Sequence, residues 1–315
     1  MFRRVTPRRT RGKNRCFVWI DFTSIPRLRR DGEKGKAMTE KLFAPIIIPD
    51  LQKKKERGEK IIALTAYDFP TAQILDEAGI DIILVGDSLG MVVLGYENTI
   101  PVTMEEMIHH TKAVARAVRR SLVIGDMPYF SFHQTEELTI ANASRFLKEA
   151  SAKAVKIEGA SAKRLELIEA MVEAEIPVMG HVGLTPQSIN RLGQFKVRGG
   201  ELVEARRIIQ DARNLEKAGA FAVILECVPQ DLAKTITGKL KVPTIGIGAG
   251  PYCDGQILVF HDLVGYSTGY NPRFVKKYAD LQSVIAMAVK KYGEEVKAGA
   301  FPDEAHSYHQ SKRKR

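Results

Sequence analysis

Residues 81–88 read DIILVGDS: four apolar residues, then a glycine, a carboxylate and a hydroxyl. A short apolar run bounded by turn residues fits a buried strand, and this one leads straight into Asp87 and Ser88. The same pattern recurs on both sides. Upstream, IIALTA (61–66) precedes Tyr67 and Asp68; downstream, LVIG (122–125) precedes Asp126, and AVKI (154–157) carries Lys156 and precedes Glu158. PVMG (177–180) then leads to His181, FAVIL (221–225) to Glu226, and TIGIG (244–248) to Ala249 and Gly250. From Asp87 to Asp126, Glu158, His181 and Glu226 the steps are 39, 32, 23 and 45 residues, near the roughly 30 that a strand and its crossover helix need. Amphipathic segments fill the gaps. One of them, MEEMIHHTKAVARAV, opens with the capping box Thr103 to Glu106. Strands alternating with helices predict a parallel sheet, and the pattern points to an α/β fold, a (β/α)8 TIM-type barrel with all strand ends on one catalytic rim. Seven strands are plain; ILVFHDLVG (257–265) reads as an eighth strand or as part of a helix, and residues 273–297 read as helix.

The 315 residues carry a formal charge of +11, and its location matters more than its size. Residues 1–37 hold twelve Lys or Arg against Asp21, Asp31 and Glu33, and Lys312 to Arg315 are all basic. The body between is slightly acidic, which argues against a nucleic-acid partner because phosphate binding needs clustered cations on a structured surface. No apolar run approaches the ~20 residues of a membrane span. Cys16, Cys227 and Cys253 show no metal-finger spacing, and so few thiols suit a reducing, cytoplasmic setting. Cys227 reads as a small buried hydrophobe beside Glu226. The expected organisation is a basic N-terminal extension (1–37), a single barrel domain (38–309) and a basic tail (310–315). The extension reads as a transit segment, a basic arm or dispensable sequence ahead of Met38, the last being the favoured expectation.

The rim residues define the chemistry. Asp87, Asp126 and Glu158 are three carboxylates on adjacent strand ends, a hard oxygen set suited to Mg²⁺; without a cation or basic partners they would raise one another's pKa. Lys156 projects to the same side of its strand as Glu158 and can offer charge to an anionic substrate. A buried lysine–carboxylate network closing the barrel top is the structural alternative. His181 is placed to hydrogen-bond a carbonyl or carboxylate oxygen. Glu226 follows five apolar residues, surroundings that disfavour its charged form and suit a general base. His109 and His110 read as outer-layer helix residues. IGIGAG (245–250) lies too late in the chain for a dinucleotide fingerprint and reads as an anion-holding or close-approach loop.

Several of these words, in order, resemble the ketopantoate hydroxymethyltransferase family: LTAYD (64–68), VGDSLGM (85–91), GYENTIPVT (95–103), GDMP (125–128), VKIEG (155–159), GHVGLTPQS (180–188), LECVP (225–229), IGIGAG, DGQILVFHD (254–262) and FPDEAHSYH (301–309). The resemblance covers about residues 40–309. It implies a barrel of the phosphoenolpyruvate/pyruvate-binding kind that transfers a hydroxymethyl group from 5,10-methylenetetrahydrofolate to 3-methyl-2-oxobutanoate in pantothenate biosynthesis, through an enolate stabilised by Mg²⁺. By the same resemblance Asp87, Asp126 and Glu158 hold the metal, Asp87, Ser88, Asp126, Lys156 and His181 contact substrate, Glu226 is the base, and the protein forms a homo-oligomer, a decamer. The segment GQFKVRGG (193–200) departs from the family's usual GGYKVQGR-like loop, and the basic termini have no family counterpart. Two rival readings are a lyase of the phosphoenolpyruvate mutase and isocitrate lyase type and a catalytically dead barrel acting as a binding protein. The first would carry a KKCGH-like loop, and the second would have lost rim residues; neither holds for this sequence.

Overall fold

The computed structural model describes residues 44–267 and 272–309, so the readings of segment 1–37 and of tail 310–315 lie outside the described residues. Eight strands close into one parallel barrel in sequence order: β1 (Ile61–Thr65), β2 (Ile82–Val85), β3 (Leu122–Asp126), β4 (Ala154–Glu158), β5 (Val178–Gly183), β6 (Ala222–Glu226), β7 (Thr244–Ile247) and β8 (Gly255–Leu258). The ambiguous ILVFHDLVG is both things read into it, its start completing β8 and Phe260–Leu263 forming a short helix. The segment read as helix over 273–297 is helical only from Leu281, where Asp280 caps it by accepting from Ser283 N at 3.3 Å.

Side chains alternate across each strand, and this period builds the site. On β3, β4, β5 and β6 the inward positions begin apolar, with Leu122, Ile124, Ala154, Met179, Ala222 and Ile224 packed inside the barrel with Ile61, Ala63, Ile82 and Leu84. Two residues further along, the same inward rows reach Asp126, Lys156, Glu158, His181 and Glu226. Outward rows such as Val123, Val155, Ile157, Val223 and Leu225 face the helices in a second cluster. On that face small residues set the spacing: a Cβ on Gly125 would fall 2.2 Å from Phe146, so the helix Glu136–Lys148 sits close against β3.

Helix Met104–Ala117 begins as its capping box requires, with Thr103 Oγ1 accepting from Glu106 N and Glu106 accepting from Thr103 N at 2.8 Å. Its buried positions Met107, Ile108, Thr111, Val114 and Ala117 keep helical spacing. Helix Ile48–Glu56 closes the opposite end, with Leu51 in the barrel interior cluster. Among the described residues no helix is long and apolar enough to cross a membrane.

Candidate active site

At the C-terminal ends of β2 to β6 the rim side chains form one continuous polar chain. Lys156 Nζ donates to both oxygens of Asp126 at 2.8 Å and lies 3.5 Å from Glu158 Oε1. His181 bridges onward, Nδ1 being 3.5 Å from Glu158 Oε1 and Nε2 3.2 Å from Glu226 Oε2. Among the described residues neither nitrogen makes a well-aligned hydrogen bond, so charge holds the imidazole between two carboxylates more than directional bonding does. At the other end, Asp87 N donates to Asp126 Oδ2 at 3.2 Å. Ser88 Oγ is 2.8 Å from Tyr67 Oη, and a Cβ on Gly86 would lie 2.8 Å from that Oγ and 3.8 Å from Asp126 Oδ2. All seven side chains singled out in the sequence therefore meet at one mouth.

Burial and charge set their protonation. Burial pushes Asp87 well up, and the charge of Asp126 beside it adds to the effect. Asp126 is also raised, by burial, with Lys156 opposing. Glu158 ends below its ordinary value, because Lys156 and His181 outweigh its burial. For Lys156 the surrounding carboxylates overcome burial and hold the ammonium charged. His181 is raised to about 9, its burial overcome by Glu158 and Glu226. Glu226 is not sealed in apolar surroundings; its side chain keeps 16% exposure and opens toward the mouth.

Local geometry explains why Glu226 stands where it does. Its backbone oxygen accepts from Leu184 N at 2.9 Å, and a Cβ on Gly183 would fall 2.2 Å from that oxygen, so only glycine lets β5 pass so near. The next residue, Cys227, adopts φ of +48°, uncommon for a side-chain-bearing residue, and turns the chain sharply past the site. Burial and the charge of Glu226 push the Cys227 thiol up to about 12, so it stays protonated and inert.

One residue of the site, Gln187, escaped the strand-end pattern. Only 5% exposed, it donates from Nε2 to Asp87 Oδ2 at 2.8 Å and to Met127 O at 2.9 Å, while its backbone N donates to Glu158 Oε2 at 3.1 Å. It ties Asp87, at one end of the polar chain, to Glu158 in its middle. Tyr67, fully buried, holds Ser88. Its neighbour Asp68 is a helix cap instead, accepting from Thr71 N at 2.8 Å. His110 Nδ1 donates to Tyr67 O, 2.6 Å away, from the outer layer. In the IGIGAG loop, a Cβ on Gly250 would lie 2.4 Å from Gln230 Cβ and one on Gly248 2.8 Å from Phe274, so these glycines serve close packing.

The donor set suits a hard divalent cation. Asp87 and Asp126 lie side by side, both pushed up by burial, with Gln187 Oε1 buried beside them and without a partner among the described residues. Mg²⁺ is commonly held by one or two protein carboxylates with substrate oxygens and waters completing its shell, and this pair matches that demand. Among the described residues no group of three His, Cys, Asp or Glu side chains stands as a metal-ligand set, while Lys156 donates to Asp126 and Gln187 N to Glu158.

Comparison with known proteins gives a consistent outcome. The model of the ketopantoate hydroxymethyltransferase family matches residues 45–304. A 3-methyl-2-oxobutanoate hydroxymethyltransferase of Thermoanaerobacter sp. (strain X514) is 57% identical over 263 residues, covering 84% of this chain and 96% of its own. The protein of the same name from Moorella thermoacetica is 54% identical over 263 residues, with 84% and 97% covered. Among solved structures, phosphonopyruvate hydrolase with oxalate and Mg²⁺ aligns at a TM-score of 0.55 and 14% identity over 82% of this chain and 92% of that one. A 2,3-dimethylmalate lyase of the PEP mutase/isocitrate lyase superfamily aligns at 0.54 and 16% identity, covering 84% and 90%. At such identities these structures establish the barrel type alone.

Proposed function

This chain belongs to the ketopantoate hydroxymethyltransferase family, and from that membership we propose how its rim performs hydroxymethyl transfer to 3-methyl-2-oxobutanoate, with 5,10-methylenetetrahydrofolate as the one-carbon donor and 2-dehydropantoate as the product for pantothenate biosynthesis. The observation that carries the reading is the unbroken run from Asp87 through Asp126, Lys156, Glu158 and His181 to Glu226 at one barrel mouth. Asp87 and Asp126, with Glu158 beside them, would hold Mg²⁺. When bound, the ion supplies Lewis-acid stabilisation of negative charge on the keto oxygen.

Lys156 and Ser88 would orient the substrate carboxylate, Lys156 as a fixed ammonium. Glu226, part-exposed at the mouth, takes the proton from the branched carbon. His181, charged at neutral pH by its two carboxylate neighbours, stands 3.2 Å from Glu226 Oε2 and orients it toward the substrate, and it can donate to a substrate oxygen. The transfer consumes one water: its oxygen ends on the bridging carbon of the folate and its two protons on the folate nitrogens as both C–N bonds break. The carbanion-like carbon bonds to that bridging carbon, whose oxygen takes up the proton Glu226 removed, completing the hydroxymethyl group.

A separate feature supports oligomerisation. Helix Leu281–Lys297 buries none of its residues, and Val284, Met287, Val289 and Tyr292 are 55%, 61%, 63% and 58% exposed. Apolar exposure of this extent on one helix marks an interaction surface, which supports a homo-oligomer, a decamer by family likeness. Light scattering of the purified chain tests it. Cytoplasmic residence is part of the same reading.

The activity is tested by incubating the protein with 3-methyl-2-oxobutanoate, methylenetetrahydrofolate and Mg²⁺ in D₂O and following the branched-carbon proton and the product by NMR. Product formed only with the metal supports the whole reading. Exchange without product retains proton abstraction and removes the folate donor; neither signal from folded protein overturns the reading.

A further inference from the structure

A cavity of about 510 Å³ opens beside Glu158, between the loops that follow β4 and β5. Its size is that of sites for drug-sized ligands, roughly 300–1,000 Å³, and exceeds what a five-carbon keto acid would fill. Several arginines line it. Arg198 is answered by Glu204 at 2.5 Å, and Arg207 lies 3.8 Å from Asp211. Arg164 and Arg191 form no ion pair among the described residues, and of these two Arg191 is exposed whereas Arg164 is half-buried and anchored.

Three neutral contacts fix it instead. One N–H donates to the backbone oxygen of Glu158, another to His133 Nε2 at 2.9 Å, and the guanidinium carbon sits 4.3 Å from the centre of the Phe132 ring. His133 can accept because it is uncharged, its pKa lowered to about 4 by burial and then by the charge of Arg164. Arg164 also stands in the first turn of helix Ala162–Glu173, capped by Ser161, where the helix end adds positive potential. A guanidinium carries five N–H donors, so the two bonds leave donors for a ligand. The result is a half-buried cation, immobilised on an open cavity and forming no ion pair among the described residues. Immobilisation before binding lowers the ordering cost of capturing an anion, and the planar fork matches a carboxylate in two-point contact.

We propose that Arg164 binds a carboxylate of the larger co-substrate in this cavity, namely the glutamate end of the folate that carries the one-carbon unit. The proposal rests on the hydroxymethyl-transfer reading above. It makes Arg164 a binding residue for the donor, outside the cluster that handles the keto acid.

The test compares tetrahydrofolate with tetrahydropteroate, which keeps the pterin and benzoyl groups and lacks the glutamate, by isothermal titration with the full chain. The wild type should bind tetrahydrofolate at least about tenfold more tightly than tetrahydropteroate. Arg164→Gln should erase that preference by weakening tetrahydrofolate alone. Unchanged tetrahydropteroate affinity then shows that the cavity is intact. Arg164→Lys, which keeps the charge and loses the fork, should fall between the two and serves where the glutamine variant folds poorly. A preference that survives in both variants, or equal weakening of both ligands, overturns the proposal, because Arg164 would then be only a support for Glu158. Wild-type protein that binds neither pteridine and forms no product would instead overturn the functional reading beneath it.

Discussion

Both ends of the barrel bury carboxylates beside cations, and they balance them differently. At the N-terminal end, Asp81 is met by Lys54 at 2.6 Å, Arg120 at 3.4 Å and Ile62 N at 3.0 Å. Asp254 is met there by Lys55 and by Thr244 N, each at 2.8 Å. Two carboxylates thus share three cations and two backbone donors. At the C-terminal mouth the ratio reverses: Asp87, Asp126, Glu158 and Glu226 share one lysine and one histidine. A satisfied network holds structure together, whereas one with surplus negative charge waits for something positive. The rim departs from internal balance, and this imbalance, more than its polarity, separates a site from a strut.

The sharpest break of that contrast is Glu226→Gln. The amide cannot take a proton from carbon but keeps an oxygen near His181, so turnover should fall by about 10⁴-fold, the upper range for losing a general base, while the thermal midpoint hardly moves. Steady-state rates and a melting curve on the same preparation decide it. Retained turnover would reassign the base. The mirror experiment is Asp81→Ala, which strands Lys54 and Arg120 at the barrel floor; removing one partner of a buried pair costs about 3–5 kcal/mol. Urea unfolding should show that loss, and turnover per folded molecule should stay near the wild-type value. A drop in turnover matching the rim variant would erase the distinction between the two ends.

How much of this is legible in sequence depends on periodicity. The strand ends, their inward parity and the residues Asp87, Asp126, Lys156, Glu158, His181 and Glu226 follow from apolar runs of fixed spacing, because alternation along a strand commits every second side chain to one face. Gln187 carries no such mark. It lies in the 3₁₀ turn Pro186–Ser188 after β5, and a polar residue in a loop is expected to face water. Only the words GLTPQS, retained beside His181, pointed toward it. The apolar face of helix Leu281–Lys297 was equally silent, since an amphipathic period reads the same whether the partner belongs to the same chain or to another. Nor does spacing reveal that Arg164 forms no ion pair among the described residues, because pairing is decided by contacts distant in the chain. Gln187→Leu, close in volume, should leave Asp87 and the Met127 carbonyl without their donor. It should cost about 1–3 kcal/mol in urea unfolding, the penalty for unpaired buried polar groups, and it should lower turnover along with stability. That joint loss would place Gln187 between the two classes: a strut whose load is the site itself.

The smallest effect tests whether the balanced end behaves as an ordinary structural network under acid. Asp76, near the end of helix Phe69–Glu77, accepts from Arg119 N at 2.9 Å, from Arg120 N at 3.1 Å, and from Ser121 N and Ser121 Oγ at 2.7 Å each, pinning the turn that feeds β3. Burial alone would raise its pKa, but these donors outweigh it and hold the carboxyl below 3.8. A group lowered on folding stabilises the native state above its unfolded pKa and loses that contribution as pH falls through its folded value. Asp76→Asn should therefore cost about 1 kcal/mol at pH 7, a part-solvated charged acceptor giving less than a buried one. The gap from wild type should persist down to about pH 4 and close below it, because the protonated aspartic acid then offers no more than the amide. Urea midpoints at pH 7, 4 and 3 measure this directly. A gap that stays constant into acid would mean that the turn depends on the shape of the side chain and owes nothing to its charge.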